Sequence, residues 1–119
     1  MMTKKRILYA EDSRNYRRAM EALFELLLPE LEVVSVSSME EAKDAYLSKR
    51  PFDLVLIDGT LDPDNRLDGW HWAQELHDGG KNVAVLSADP RPYGFTVFAM
   101  EKNIGTDDLL ANLGCLLSK

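Results

Sequence analysis

Short apolar runs, unbroken by polar residues, alternate along the chain with stretches whose apolar residues are spaced three and four apart. Unbroken runs mark strands buried on both faces, and the intervening period marks amphipathic helices. Ile7-Leu8-Tyr9-Ala10 is the first such strand. A helix follows, capped by Ser13, with Tyr16, Met20, Leu23, Phe24 and Leu27 in one stripe and Pro29 ending it. Val-rich Leu31 to Ser37 reads as the second strand. Ser38-Met39-Glu40-Glu41 has the form of a capping box, and its helix stops before Pro51. Phe52 to Ile57 is the strongest strand and delivers the chain to Asp58. A polar loop runs to Asp68, and a short helix from Gly69 or Trp70 to His77 is stopped by Gly79-Gly80. Asn82 to Leu86 and Thr96 to Glu101 are the remaining strands. Thr106-Asp107-Asp108 caps a last helix carrying Leu109, Leu113 and Leu116. Strands alternating with helices predict an α/β fold with a doubly wound, five-stranded parallel sheet.

At 119 residues the chain suits one domain, residues 1–119. Its formal charge of −6 argues against a nucleic-acid-binding surface, which needs a basic face. The lone Cys115 forms no internal disulfide, so a reducing cytoplasm is the expected setting, and the residue itself reads as a quiet helix position. The basic start, Met1 to Arg6, precedes only four apolar residues, too few for a signal peptide or a membrane span.

In a sheet of this kind ligands bind at the carboxyl ends of the strands. Those ends carry Glu11 and Asp12 after strand one, Asp58 after strand three, Ser87 after strand four and Lys102 after strand five. Carboxylates gathered so closely repel by about 4 kcal/mol per pair at ~4 Å and an effective dielectric near ~20. Lys102 offsets part of this. A hard divalent cation with oxygen ligands, such as Mg2+ or Mn2+, suits the rest. The chemistry that fits is phosphoryl transfer to a carboxylate, with the cation and Lys102 neutralising charge and the Ser87 hydroxyl donating a hydrogen bond.

Glu11-Asp12, Asp58 at the end of its apolar run, Ser87-Ala88 and Lys102 together resemble the receiver domain of bacterial response regulators, over nearly the whole chain. The resemblance implies a flavodoxin-like sheet of order 2-1-3-4-5. It implies Asp58 as phosphoacceptor, Asp12 as a direct Mg2+ ligand, Glu11 acting mainly through water, and the Thr60 backbone carbonyl completing the metal site. Ser87 becomes the switch hydroxyl and Lys102 the phosphate-binding lysine, with the small Ala88 leaving the site open. The implied role is a signalling phosphoacceptor rather than an enzyme. Its donor would be a sensor histidine kinase or histidine phosphotransfer protein.

Three departures from that family stand out. The loop between Asp58 and Gly69 is long and adds Asp62, Asp64 and Asp68, which predicts a flexible acidic lid; Arg66 and Ala73 at ligand positions exclude a calcium hand. Asp89-Pro90-Arg91-Pro92-Tyr93-Gly94-Phe95-Thr96 stands where the family has its fourth helix, and two prolines and a glycine oppose one. Returning the length of strand four requires roughly 16 Å. Eight helical residues span only about 12 Å, whereas eight extended ones reach about 26 Å, so an extended crossover is expected. Finally, Ala99 occupies the aromatic switch position, with Phe98 facing the opposite way, and Asn103 replaces the proline after the lysine.

These departures motivate a competing function, a degenerate receiver that binds a protein partner without phosphorylation. A remoter alternative comes from Asp58-Gly59-Thr60-Leu61, which looks like the second half of the haloacid-dehalogenase phosphatase motif. That family's nucleophile would fall on Leu56, and its motif normally lies on the first strand. His71 and His77, six apart, do not make a metal pair. Trp70 and Trp72 lie on different sides of their helix, which predicts one in the core and one partly exposed.

Overall fold

The structure, a computed structural model, describes residues 4–119; the reading of the basic start at Met1 to Thr3 lies outside the described residues. Five strands, β1 (Arg6–Ala10), β2 (Glu32–Val36), β3 (Leu54–Asp58), β4 (Val83–Ser87) and β5 (Ala99–Glu101), form a parallel sheet of order β2-β1-β3-β4-β5. Four helices cover it: α1 (Arg14–Leu27), α2 (Met39–Ser48), α3 (Asp68–Asp78) and α4 (Thr106–Leu117). Among the described residues no helix is long and apolar enough to cross a membrane.

Period-two alternation divides the strand residues between two cores. Leu8, Ala10, Val55, Ile57, Val83 and Val85 pack against α2 and α3. Ile7, Tyr9, Leu54, Leu56, Ala84 and Leu86 pack against α1 and α4 through Met20, Phe24, Leu109 and Leu113. The Ser13 hydroxyl caps α1 by accepting from the Tyr16 amide, and the Ser38 hydroxyl caps α2 by accepting from the Glu41 amide. Glu41 reaches back to the Ser37 amide and hydroxyl, one residue earlier than a standard capping box.

The crossover from β4 to β5 is non-helical throughout residues 88–98, as the prolines and the span predict. Gln74 of α3 pins it: the side-chain carbonyl accepts from the amides of Thr96 (2.8 Å) and Val97 (3.0 Å). Those amides are therefore unavailable to the ladder. This explains why β5 begins at Ala99 rather than at Thr96.

Other expectations need correction. Trp70 and Trp72 are both in the core, 2% and 7% exposed. The expectation of one exposed ring treated α3 as covered on one flank, but Tyr46 of α2 meets Trp72 edge-on on one side and Phe95 of the crossover meets Trp70 on the other. The last helix is capped by extended Gly105, with Thr106 already helical and no side-chain cap. The acidic loop is tied down by hydrogen bonds rather than forming a loose lid. Asp68 accepts from the amides of Leu61 (2.8 Å), Asp62 (3.0 Å) and Gly69 (2.7 Å), and Asp62 accepts from the Asp64 amide (3.0 Å).

Gly69 sets how closely α3 approaches the end of β3, because a Cβ there would fall on the Asp58 backbone carbonyl. Gly69→Ala is predicted to cost about 2–4 kcal/mol in chemical denaturation, since only backbone could move to relieve the clash. Gly114→Ala, in exposed helix with open space around the new methyl, should be neutral or stabilising by up to ~1 kcal/mol. Equal effects would contradict this account of the packing.

Candidate functional site

The alternation that sorts the cores also aims the polar residues. Glu11 continues the side of Ile7 and Tyr9, Asp58 that of Leu54 and Leu56, and Lys102 that of Met100, so all three leave the sheet toward α1. Oxygens of Glu11, Asp12 and Asp58 lie within 4.8 Å of one another. Among the described residues this is the one cluster of three potential metal ligands. Glu11 and Asp58 are buried, whereas Asp12 is exposed and forms the open side.

Lys102 Nζ lies 2.7 Å from Glu11 Oε1 and 3.4 Å from Asp58 Oδ2. The shorter contact is a close ion pair to a buried carboxylate oxygen. The other Glu11 oxygen accepts from the Ser13 amide (3.1 Å), and Asp58 Oδ1 accepts from the Thr60 amide (3.2 Å). Ser87 is buried one residue past Leu86, the register partner of Asp58. Its hydroxyl oxygen accepts from the Asp89 amide (3.1 Å), which leaves its proton free to donate. The Thr60 side chain is turned away from the cluster and donates to the Arg66 carbonyl.

Burial, followed by the neighbouring Glu11 and Asp12, pushes the Asp58 carboxyl up to about 8, and Lys102 only partly counters this. Burial opposes the Lys102 charge, but the two carboxylates prevail and hold its ammonium above the usual lysine range. Three carboxylate groups, two of them buried, make an all-oxygen donor set that suits a hard cation such as Mg2+.

Two residues of α1 border this site: Tyr16, which the sequence places only in the apolar stripe of its helix, and Arg17, which the sequence reading does not single out. The Tyr16 ring lies under Lys102 Nζ, 4.5 Å from the centroid, and Arg17 donates to the Glu11 carbonyl (2.8 Å). A phenol and a guanidinium in the first turn after an acidic pair are the signal that could have found them. His71 packs on Phe95 and Cys115 is a free, exposed helix residue, consistent with their unremarkable sequence reading. Leu56, where a dehalogenase-type nucleophile would stand, is fully buried in the apolar core. A cleft of about 700 Å³ lies at the opposite ends of the strands around Leu27, Leu28 and Leu31, away from this chemistry.

Cluster ionisation gives a pH prediction. An unfolded aspartate titrates near ~4, so between about pH 4 and about pH 8 folded Asp58 keeps a proton that the unfolded chain has lost. Stability in EDTA should therefore fall as pH rises through that window, by about 1–3 kcal/mol. Asp58→Asn should flatten the slope and raise the melting temperature at the alkaline end. Mg2+ needs the ionised carboxylates, so its stabilising effect should grow with pH. An unchanged slope in Asp58→Asn would contradict this electrostatic picture.

No protein-family model matches the sequence, and no curated protein matches it. Solved structures do. The signal receiver domain of a DNA-binding response regulator from Colwellia psychrerythraea 34H is 16% identical, with a TM-score of 0.77 over 97% of this chain and 99% of that one. A CheY-like receiver domain from Methanospirillum hungatei JF-1 is 18% identical, with a TM-score of 0.77 over 97% of this chain and 94% of that one. A third, from Methylobacillus flagellatus, is 22% identical, with a TM-score of 0.73 over 95% and 98%. The sheet order, the helices around it and these likenesses agree: the chain has the fold of response-regulator receiver domains.

Proposed function

We propose that this chain is a phosphoacceptor signalling domain in which Asp58 takes a phosphoryl group with the help of a divalent cation. The observation that carries the reading is the convergence of Glu11, Asp12 and Asp58 with Lys102 at the carboxyl edge of a receiver-type sheet. In the transfer, an Asp58 carboxylate oxygen attacks phosphorus in line. The donor's P–N or P–O bond breaks, the leaving group keeps the bonding pair, and an acyl phosphate remains on Asp58. Lys102 offsets charge on the phosphoryl oxygens, and the Ser87 hydroxyl donates its free proton to one of them. Glu11, Asp12, Asp58 and the Thr60 carbonyl would hold Mg2+ or Mn2+, Glu11 through water. Such a cation supplies neutralisation of carboxylate and phosphoryl charge.

The donor in this reading is a sensor histidine kinase or a histidine phosphotransfer protein. The lack of a helix between β4 and β5 and the small Ala99 favour a second reading, a module that binds its partner without phosphorylation. Incubation with Mg2+ and phosphoramidate, followed by intact mass, separates the two. We expect the mass of one added phosphoryl group, none in Asp58→Asn or in EDTA, and a rate about 10- to 100-fold lower in Lys102→Ala. An unmodified wild type, or equal gain in Asp58→Asn, would favour the binding module. Turnover of a generic phosphate ester would instead revive the phosphatase alternative.

A further inference from the structure

The extended crossover leaves a cleft where a helix would otherwise lie. It measures about 580 Å³, within the usual range for small-molecule sites. Its two walls are the segments that leave the carboxyl ends of β3 and β4. Thr60 and Asp89 line it, and each amide is bonded to a side chain of the acceptor site, Thr60 to Asp58 (3.2 Å) and Asp89 to Ser87 (3.1 Å). The cleft therefore adjoins backbone that the Asp58 and Ser87 side chains hold.

Its lining combines two chemistries. Leu67, Trp70, Pro90 and Pro92 give an apolar surface with little freedom to rearrange, because two members are prolines and the indole is buried. Arg66 and Arg91 add two exposed arginines, of which Arg91 also donates to the Val97 carbonyl (3.5 Å). Neither has a carboxylate partner within ion-pair distance among the described residues, although the chain carries 20 acids against 14 basic residues. Asp89 is the one acid in the lining, which leaves it net positive. A guanidinium pair over an apolar wall fits a carboxylate attached to a flat apolar body.

We propose that this cleft seats the organic end of an acyl phosphate donor, with preference for an aromatic acyl group. The inference rests on Asp58 as acceptor and names a substrate class for it. The Asp58 oxygen–phosphorus bond forms, the phosphorus–oxygen bond to the acyl group breaks, and the aromatic carboxylate departs with the electron pair. Arg66 and Arg91 hold that carboxylate while its ring packs on the apolar wall.

The test compares benzoyl phosphate with acetyl phosphate, whose leaving carboxylates have similar basicity, at equal subsaturating concentrations with Mg2+ and intact mass as readout. Wild type should prefer benzoyl phosphate by about tenfold, the worth of partly burying a phenyl ring. The doubly substituted Arg66→Gln, Arg91→Gln protein should bring the ratio close to one. Both positions are exposed, so the fold should tolerate the change. Benzoate alone should shift the Trp70 indole N–H resonance saturably in wild type, with affinity about fivefold weaker in the double variant. Equal rates with the two donors, a preference that survives in the double variant, or no benzoate shift at Trp70 would overturn the proposal. If phosphoramidate leaves wild type unmodified, Asp58 as acceptor and the donor role fall together. A saturable, arginine-dependent benzoate shift would in that case still establish the cleft as an anion site.

Discussion

Mutual repulsion among Glu11, Asp12 and Asp58 is the constraint around which this molecule is organised. Two of these carboxylates are buried, and a single lysine faces them. Removing charged groups from water costs several kcal/mol each, and clustering like charges adds to that cost. The cluster is therefore a cost that positive charge, from Lys102 or a cation, can relieve. Protonation of Asp58 is the response available to the free protein. Lys102, held over Tyr16 and against two carboxylates, is the partial counterweight.

The scaffold brings the acids together by simple means. Parallel strands in register end at one edge, and alternation along β1, β3 and β5 turns Glu11, Asp58 and Lys102 to the same side. α1 closes that side with Tyr16 and Arg17, while Gly69 lets α3 approach the Asp58 backbone. On the other side of the sheet, Gln74 fixes a crossover that carries no helix. The consequence is an acidic edge on a receiver-type sheet and, at the crossover, a cleft lined by two guanidiniums that have no carboxylate partner among the described residues.

Much of this was legible in the residues. The apolar runs of β1, β3 and β4 are buried along nearly their whole length, so their identity is a local property, as are the Ser13 and Ser38 caps. The clustering of Glu11, Asp12, Asp58 and Lys102 was legible because strand ends in a parallel sheet share one edge. The crossover followed from the proline restriction and the distance to be covered. What stayed hidden depended on non-local partners. Burial of both Trp70 and Trp72 requires Phe95 and Tyr46 on opposite flanks of α3. The late start of β5 requires Gln74 to occupy the Thr96 and Val97 amides. Asp68 looked like one more acid in a loose loop, yet its carboxylate accepts three backbone amides, a role set by loop closure rather than composition.

The most direct test of the central claim is chemical mapping of the modified residue. After incubation with Mg2+ and a phosphoryl donor, borohydride reduces an acyl phosphate on aspartate to homoserine, which peptide sequencing by mass spectrometry then locates. The account predicts homoserine at position 58 and nowhere else. Homoserine at position 12, or a fully modified protein with aspartate intact at 58, would contradict it.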